Sequence, residues 1–474
     1  MWNTYFQPAD LPTALTLLAA YPTARIVAGG TDVLADLDSG EHSTKTLLDI
    51  SRITELRYVE QRGNLIAIGA LATHNMIITS AACVAGALPL AQACLEVGAP
   101  QIRSRGTLGG NLVAATAAND TIAPLLALGA ELTLVSTYGE RSLSLSAFFL
   151  GERRTALRAG EIVREIRVPL LGERQRGIFL KLGLRQAQES ALASVAVVIA
   201  QADDAPDAPL TAARIALGYV APTVVPASAA EQFICGKPLN AFTCGEASWL
   251  AAAAVDSFDR RRVATAHQRE AIATLTYDAL SLLARGGERD GWPERPVLLE
   301  TVGATLAGST GIDPLGSVQS RVNKRPVTLS AHKTLLDALR EDVGLIAMRA
   351  PCREGACGAC TVWLNGQAVL ACLVPAAQAR DAEVITFEGL SGDTASDEDL
   401  HPLQAALIVS GALQCGACTP GMVMAGAKLL EEMDDPSAAE IQAALSGNTC
   451  RCAGQRKLLM AVQAAREIKR DNGE

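Results

Sequence analysis

The distribution of cysteine constrains this chain more than any other feature of its sequence. Eight of the twelve cysteines fall in tight groups within the last 123 of 474 residues. Residues 1–20 lack a positively charged start, so the sequence predicts no export signal and a cytoplasmic location. Thiols stay reduced in that compartment, and the grouping therefore argues against a disulfide framework. The eight grouped cysteines are Cys352, Cys357, Cys360, Cys372, Cys415, Cys418, Cys450 and Cys452.

The first group has the spacing of a two-iron cluster. Cys352, Cys357 and Cys360 form the pattern C-x4-C-x2-C, and Cys372 follows after eleven further residues. This spacing is typical of plant-type [2Fe–2S] proteins, in which four thiolates converge on two irons. The small residues within 355–359 would let the backbone wrap around such a cluster. The pattern predicts a first [2Fe–2S] site.

The second group predicts another cluster in a helical segment. Cys415 and Cys418 form C-x2-C, and 31 residues separate them from Cys450 and Cys452. The dipeptide at 420–421, Pro-Gly, suits a turn that enters a helix. Four thiolates from two such turns fit a second [2Fe–2S] cluster.

Other interpretations of the cysteines remain open at this point. Two four-cysteine zinc sites are the main alternative, although zinc ribbons usually pair one C-x2-C with another and the first group does not. Disulfides and unliganded thiols are further alternatives. The four scattered cysteines, by contrast, are predicted to be ordinary core residues. They are Cys83, Cys94, Cys235 and Cys244.

Composition and charge exclude several other classes of protein. Hydrophobic residues make up 49% of the chain and charged residues 19%, which permits a sizeable core over about three domains. The net charge is −9 and no basic stripe stands out, so nucleic acid and anionic membranes are not expected as main partners. No apolar run reaches the ~18 residues of a membrane span.

Two glycine pairs predict a phosphate-bearing cofactor. The sequence has no Rossmann or P-loop fingerprint. Paired glycines nevertheless let backbone N–H groups approach a pyrophosphate closely, because no Cβ intrudes. A purely structural turn is the alternative for either loop, and their occurrence together favours the cofactor. The two loops comprise Ile26, Val27, Ala28, Gly29, Gly30, Thr31, Asp32 and Val33, and Thr107, Leu108, Gly109, Gly110 and Asn111.

The hydrophobic pattern changes along the chain. Residues 1–170 mix short strands and helices, and residues 171–285 predict antiparallel strands, at 179–184, 193–200 and 215–220, followed by a helix. Residues 286–316 are rich in glycine and proline and predict a linker. A hairpin is predicted over 318–329, and residues 400–474 are helical in pattern.

Longer motifs resemble a known family. AGGTDV (28–33), LLDISRITELRYV (47–59), IAIGALAT (66–73) and GAPQIRSRGTLGGNL (98–112) resemble the FAD-binding medium subunit of the molybdenum hydroxylases. This family contains xanthine dehydrogenase, aldehyde oxidase and carbon monoxide dehydrogenase. LLDALREDVGL, CREGACGACTVWLNG, HPLQAAL, QCGACTPGM and LSGNTCRCAG resemble its small, two-cluster subunit.

The resemblance implies an α+β multidomain fold with four domains. The flavin part has two of them: an FAD-binding (PCMH-type) domain of the vanillyl-alcohol-oxidase type over 1–170, and a CO dehydrogenase flavoprotein C-terminal-like domain over 171–285. After the linker at 286–316, the cluster part has the other two. They are a ferredoxin-like β-grasp [2Fe–2S] domain over 317–392 and an all-helical [2Fe–2S] domain over 393–474.

The resemblance also implies roles for individual residues. Both glycine loops would hold the FAD pyrophosphate, Asp120 would be an acidic FAD contact, and Val163 and Lys181 would lie beside the flavin. The plant-type cluster would face the flavin. The second cluster would face the molybdenum cofactor of a partner, with Gln414 near its pterin. No catalytic residue is assigned within the chain.

The implied function is that of an electron-transfer component. A large molybdopterin subunit would hydroxylate the substrate, and electrons would pass through the second cluster and the plant-type cluster to FAD, and then to NAD+ or another acceptor. Purine is favoured as the substrate by family frequency alone, and an aldehyde, a heterocycle such as nicotinate or carbon monoxide stays open. A stand-alone flavin and iron–sulfur NADH reductase and a non-redox zinc protein are the alternatives.

The sequence departs from the family pattern at four positions. Glu189 replaces the usual Asp, Ala417 replaces an aromatic residue, and Ala453 and Gln455 replace a threonine and an aromatic residue. The last three lie beside the partner-facing cysteines and leave the ligands themselves intact. The flavin part also precedes the cluster part, opposite to the single-chain eukaryotic enzymes.

Overall fold

The computed structural model describes residues 2–40, 44–183, 185, 187, 191–205, 207–255, 266–301, 316–391, 400–452 and 454–471. These residues form two compact units, each assembled from separate stretches of chain. The first unit comprises Met1–Thr54, Gly98–Gly106 and Val297–Glu474, and the second comprises Glu55–Val97 and Thr107–Pro296. The first glycine loop and all eight grouped cysteines therefore belong to one compact unit.

The first unit contains two sheets and a set of helices. A three-stranded parallel sheet has the order β1-β3-β2, and a mixed five-stranded sheet has the order β16-β15-β19-β17-β18. The strands are β1 (Thr4–Phe6), β2 (Arg25–Val27), β3 (Thr46–Asp49), β15 (Ser317–Val322), β16 (Arg325–Ser330), β17 (Thr361–Leu364), β18 (Gln367–Leu370) and β19 (Glu383–Ile385). The helices are α1 (Leu11–Ala20), α2 (Val33–Ser39), α6 (Pro100–Arg103), α13 (Leu335–Glu341), α14 (Pro402–Val409), α15 (Thr419–Glu432), α16 (Ala438–Leu445) and α17 (Gly454–Asp471).

Local sequence explains several of these elements. The predicted hairpin is confirmed as β15 and β16, whose turn places Asn323 and Lys324 at positive φ, as tight two-residue hairpins require. The predicted C-terminal helices are confirmed as α14 to α17. Helix α16 begins with a capping box, in which Ser437 and Glu440 satisfy each other's backbone N–H groups.

The second unit is built on two antiparallel sheets. One has the order β4-β5-β10-β6-β7 and the other β11-β12-β13-β14. The strands are β4 (Val59–Arg62), β5 (Leu65–Gly69), β6 (Glu131–Ser136), β7 (Gly139–Ser144), β8 (Phe149–Gly151), β9 (Arg154–Thr155), β10 (Ile162–Pro169), β11 (Gln175–Leu182), β12 (Ala193–Gln201), β13 (Leu210–Gly218) and β14 (Val225–Pro226). The helices are α3 (His74–Thr79), α4 (Ala81–Gly86), α5 (Leu88–Glu96), α7 (Leu108–Ala114), α8 (Ile122–Leu128), α9 (Leu145–Phe148), α10 (Ser228–Ile234), α11 (Ala241–Ala254) and α12 (Ala266–Ala284).

Each unit has its own buried core. In the first unit, one apolar cluster combines residues of the N-terminal sheet, such as Tyr5 and Leu47, with Leu339 and Cys372 from the cysteine-rich segment. The antiparallel strands predicted for the second unit are confirmed as β11, β12 and β13, and α10 to α12 pack against them. No helix in the described part of the chain combines the length and the apolar character that a bilayer span requires.

The scattered cysteines behave as predicted in three of four cases. Cys83, Cys94 and Cys244 are buried, whereas Cys235 is exposed at the end of α10. The core prediction for Cys235 is therefore wrong, because the chain leaves the helix there toward solvent. Within the predicted linker, Leu298 and Leu299 donate their N–H groups to Glu432 of α15, and residues 302–315 lie outside the described residues.

Candidate cofactor sites

The first cysteine group occupies the loop before β17 and the turn after β18. Because β17 and β18 pair antiparallel, the two ends of the hairpin meet, and Ala371 N–H donates to the carbonyl of Cys360 at 3.2 Å. The thiols form two contacting pairs. The Sγ atoms of Cys352 and Cys357 are 3.2 Å apart, and the thiol of Cys360 contacts that of Cys372. The hydrogen bond between these two thiols lowers the pKa of Cys352 to about 5 and raises the pKa of Cys357 well above its ordinary value.

The second cysteine group also forms two pairs. Cys415 and Cys418 precede α15, while Cys450 and Cys452 lie between α16 and α17. The Cys415 thiol contacts Cys452, and the Cys418 thiol contacts Cys450. Burial raises the pKa of Cys418 to about 12 when no metal is bound. The four thiols come from the two helix-entry turns that the sequence predicted.

The arrangement of both groups fits two-iron clusters. A [2Fe–2S] cluster takes two thiolates on each iron, so four ligands arrive as two pairs. A structural zinc ion would instead draw four donors into one tetrahedral shell. The paired thiols therefore favour iron–sulfur clusters over zinc.

The two cysteine groups are in direct contact within the first unit. The N–H of Thr449 donates to the carbonyl of Cys357 at 3.0 Å, and Nδ2 of Asn448 donates to the carbonyl of Gly358 at 3.0 Å. Thr449 precedes Cys450 in the chain. A single backbone hydrogen bond thus connects a ligand loop of one cluster with a ligand loop of the other.

The close approach of these loops requires glycine at position 421. A Cβ at Gly421 would lie 2.1 Å from the carbonyl oxygen of Gly358. We therefore expect Gly421→Ala to lower the free energy of unfolding by about 1–3 kcal/mol, because the two loops would have to separate. Gly245→Ala is the matched control. That glycine lies inside α11 with open space at its Cβ position, so the change should stabilise the chain by about 0.5–1 kcal/mol.

Urea unfolding of the cluster-loaded variants measures both effects. Magnetic coupling between the two reduced clusters, read from EPR spectra, reports their separation and should weaken only in Gly421→Ala. Equal stability of the two variants would contradict the contact described above.

The first glycine loop has the character of an anion-binding nest. It connects β2 with α2, and in the described part of the chain the N–H groups of Gly29, Gly30 and Thr31 have no acceptor. Successive free N–H groups in such a turn bind anionic groups. The glycines are also needed for packing. A Cβ at Gly29 would lie 2.2 Å from the Arg105 carbonyl oxygen, and one at Gly30 2.7 Å from that of Leu373.

In the second glycine loop, the backbone N–H groups already have acceptors within the protein. Thr107 caps α7, since its hydroxyl accepts from the N–H of Gly110, and the N–H groups of Leu108, Gly109 and Asn111 all donate to carbonyl oxygens within the second unit. These four N–H groups are occupied by protein acceptors. A contribution of this loop to cofactor binding would therefore come from its side chains, and its role in FAD binding stays a prediction.

The second unit brings together two of the predicted flavin residues. Nζ of Lys181 lies 2.8 Å from Oδ2 of Asp120, and the two side chains are 9% and 5% exposed, respectively. Burial raises the pKa of Asp120 to about 6 despite its cationic neighbour. Val163 is buried at a β-bulge in β10, opposite Leu134 of β6. Tyr219, which sequence reasoning missed, donates to Oδ1 of Asp120 at 2.9 Å.

Sequence reasoning also missed a buried polar network beside the first glycine loop. Asp49, at the end of β3, is fully buried and accepts hydrogen bonds from Tyr5 (2.7 Å), Gln7 (2.8 Å) and Gln378 (3.2 Å). Gln378 comes from the cysteine-rich segment, six residues after Cys372. The segment LLDIS around Asp49 marked the family, but nothing near Gln378 in the sequence signals its partner.

The same network reaches the glycine loop itself. Nε2 of Gln378 lies 3.4 Å from the carbonyl oxygen of Ala28, and its Oε1 accepts from Arg105. Nε of Arg105 in turn donates to the carbonyl of Gly29 at 3.3 Å. Two carbonyl groups of the loop are thus fixed by side chains from outside it. Because each peptide group is planar and trans, these bonds also orient the N–H groups of Gly29 and Gly30.

Two groups of paired thiolates and a free N–H nest define a protein that carries two iron–sulfur clusters and a phosphate-bearing cofactor. Family models match the chain in order. They are described as FAD binding domain in molybdopterin dehydrogenase (residues 2–171), CO dehydrogenase flavoprotein C-terminal domain (179–283), 2Fe-2S iron-sulfur cluster binding domain (317–408) and [2Fe-2S] binding domain (386–463).

Individual relatives match one part of the chain each. The nicotinate dehydrogenase small FeS subunit of Eubacterium barkeri is 45% identical over 30% of this chain and 88% of its own length. The carbon monoxide dehydrogenase medium chain of Hydrogenophaga pseudoflava is 32% identical over 49% of this chain and 80% of its own length. A solved structure of the carbon monoxide dehydrogenase from that organism, lacking the Mo-pyranopterin moiety, shares the fold at a TM-score of 0.54 and 30% identity, over 59% of this chain and 96% of that one.

The chain belongs to the molybdenum hydroxylase family and combines the FAD-binding and the iron–sulfur parts of that family. Its own cofactors are FAD and two [2Fe–2S] clusters. Of the departures from the family pattern, Glu189 and Ala453 lie outside the described residues, and Ala417 lies in the turn between Cys415 and Cys418.

Proposed function

We propose that this chain passes electrons between a molybdopterin-binding partner subunit and NAD+ or another acceptor. The observation that carries the proposal is the hydrogen bond from Thr449 to Cys357. Electron transfer through protein falls off steeply with distance, and this bond holds two cluster-ligand loops in contact. A protein with independent structural metal sites has no need of such a contact.

The residues of the chain have distinct tasks in this function. Cys360 and Cys372 are buried, so their cluster would be shielded from water, while Cys415 and Cys452 are exposed on the side of the second cluster. The first glycine loop, Asp120, Val163 and Lys181 are proposed to hold FAD. When bound, the clusters supply one-electron transfer and FAD couples it to a two-electron acceptor.

The partner, substrate and location are proposals of finer detail. We propose that a large molybdopterin subunit covers the exposed thiols of the second cluster and oxidises the organic substrate. A purine, as in xanthine dehydrogenase, is the first substrate to assay. Nicotinate and carbon monoxide follow from the names of the relatives, and an aldehyde follows from the family resemblance. A cytoplasmic location would keep all eight cluster thiols reduced before assembly.

Reductive titration of the anaerobically purified chain tests the electron-transfer role. Two clusters and one FAD should accept about four electrons per chain. The isolated chain should oxidise none of the four substrates, and activity should appear with a co-purified large subunit. Electron uptake of about two, or full turnover of a substrate by the chain alone, would contradict the proposal.

A further inference from the structure

Tyr219 follows β13 and contacts both members of the Asp120–Lys181 ion pair. Its φ of +68° lies in the left-handed region, which glycine adopts freely and tyrosine adopts only under strain. The backbone N–H of Tyr219 donates to the carbonyl of Ala117 at 3.2 Å, which holds this conformation. A bulky residue at a position suited to glycine points to a role for its side chain.

The phenol oxygen of Tyr219 has more acceptors around it than it can serve. It lies 2.8 Å from the carbonyl oxygen of Ala118 and 2.9 Å from Oδ1 of Asp120, and it accepts from the N–H of Ala191. A phenol carries one hydrogen, so it donates to only one of these two oxygens at a time.

One proton decides which hydrogen-bond arrangement forms. When Asp120 is ionised, the phenol donates to its carboxylate and the Ala118 carbonyl loses this donor. When Asp120 is protonated, the carboxyl donates to the phenol and the phenol donates to Ala118. Every group is then satisfied, since the phenol oxygen accepts twice and donates once.

Burial of Asp120 and the charges around it place the change between these two hydrogen-bond arrangements near neutral pH. Nζ of Lys181, on β11, donates to Oδ2 of Asp120 and to the carbonyl of Glu96 at the end of α5, and it lies 5.8 Å from the centre of the Tyr219 ring. Burial raises the pKa of Asp120 to about 6, the Glu96 carboxylate adds to this effect, and Lys181 and Tyr219 oppose it.

We propose that Tyr219 is a positioning residue of the flavin site, through which one proton, shared between Asp120 and the phenol, controls how Asp120 and Lys181 bind FAD. The inference rests on the proposed function, because the contact of Asp120 and Lys181 with FAD is carried over by family resemblance. Tyr219 itself has no counterpart among the residues that carried the resemblance.

The dissociation constant of FAD, measured on the full chain between about pH 5 and pH 8, tests the proposal. For the unchanged protein we expect an inflection at the pKa of Asp120, about 6. Tyr219→Phe removes a hydrogen bond that stabilises the ionised carboxylate, so the inflection should move upward by about one pH unit. Tyr219→Gly should give the same shift without the backbone strain. Tyr138→Phe, at a fully exposed tyrosine of the same unit, should give no shift.

Three results would overturn the proposal. An inflection that persists in Asp120→Asn would belong to another group. Tyr219→Phe and Tyr219→Gly could instead change FAD affinity equally at every pH and leave the inflection where it is. Tyr219 would then have only a structural role, and the proposed function would stay intact. Normal FAD affinity in both Asp120→Asn and Lys181→Met would instead show that the flavin residues themselves are assigned wrongly.

Discussion

Cys360→Ser is expected to remove one of the two clusters and to lower electron delivery to the acceptor by roughly 100-fold or more. Altering even a partner of a metal ligand commonly costs 10–100-fold in metal affinity, so loss of a ligand should cost at least as much. Cys360 is 2% exposed and contacts Cys372, which leaves no room for water or another side chain to take over as ligand. Iron should fall from about four to about two per chain, while FAD is retained.

A matched control separates ligand loss from the removal of a buried thiol. Cys94 is fully buried in the second unit, with its Sγ 3.5 Å from Nδ1 of His74. Cys94→Ser should keep about four irons and full electron transfer, with only a modest loss of stability. Iron analysis, flavin absorbance and EPR of the reduced protein distinguish the two variants. Full iron content in Cys360→Ser, or equal iron loss in both variants, would contradict the ligand assignment.

The features that the sequence predicts well are those encoded by local spacing. The cysteine patterns predict which thiols lie together because the members of each pattern lie in short loops, and the antiparallel pairing of β17 with β18 then carries Cys372 to Cys360. The strands of the second sheet and the C-terminal helices follow from hydrophobic periodicity. Only their ends differ, as in β13, which begins five residues before the predicted start at 215.

Long-range contacts could not be predicted in this way. Gln378 and Asp49 are 329 residues apart, and neither lies in a pattern that names the other. Tyr219 and Asp120 are likewise joined only by the fold. The glycine pairs show a related limit. The sequence gives the same interpretation to both loops, but free N–H groups remain only in the first, because the start of α7 and the carbonyls of Ala70 and Ala72 occupy those of the second.

Gln378→Met is expected to release FAD from an otherwise cluster-loaded chain. The side chain of Gln378 is 6% exposed, donates to Asp49 and lies within hydrogen-bond distance of Ala28 and Arg105, so methionine would fill the space without any of these bonds. Removing a buried group that hydrogen-bonds charged neighbours costs about 2–4 kcal/mol. Because the lost bonds fix the carbonyls before the free N–H nest, we expect FAD affinity to fall about 10- to 100-fold.

Two further variants, one at another glutamine and one at Gln378 itself, serve as controls for this prediction. Gln319→Met, at an exposed glutamine of the same sheet-bearing segment, should change neither FAD nor iron content. Gln378→Glu keeps an oxygen for Arg105 but turns a second carboxylate toward Asp49, and two adjacent carboxylates cannot both stay ionised without cost. Relative to the unchanged protein at the same pH, FAD affinity in Gln378→Glu should therefore recover as the pH falls and one carboxyl becomes a donor, whereas the ratio for Gln378→Met should stay constant. Gln378→Met could lower the free energy of unfolding and yet bind FAD as tightly as the unchanged protein does. The network would then support the fold only and would have no effect on the N–H nest.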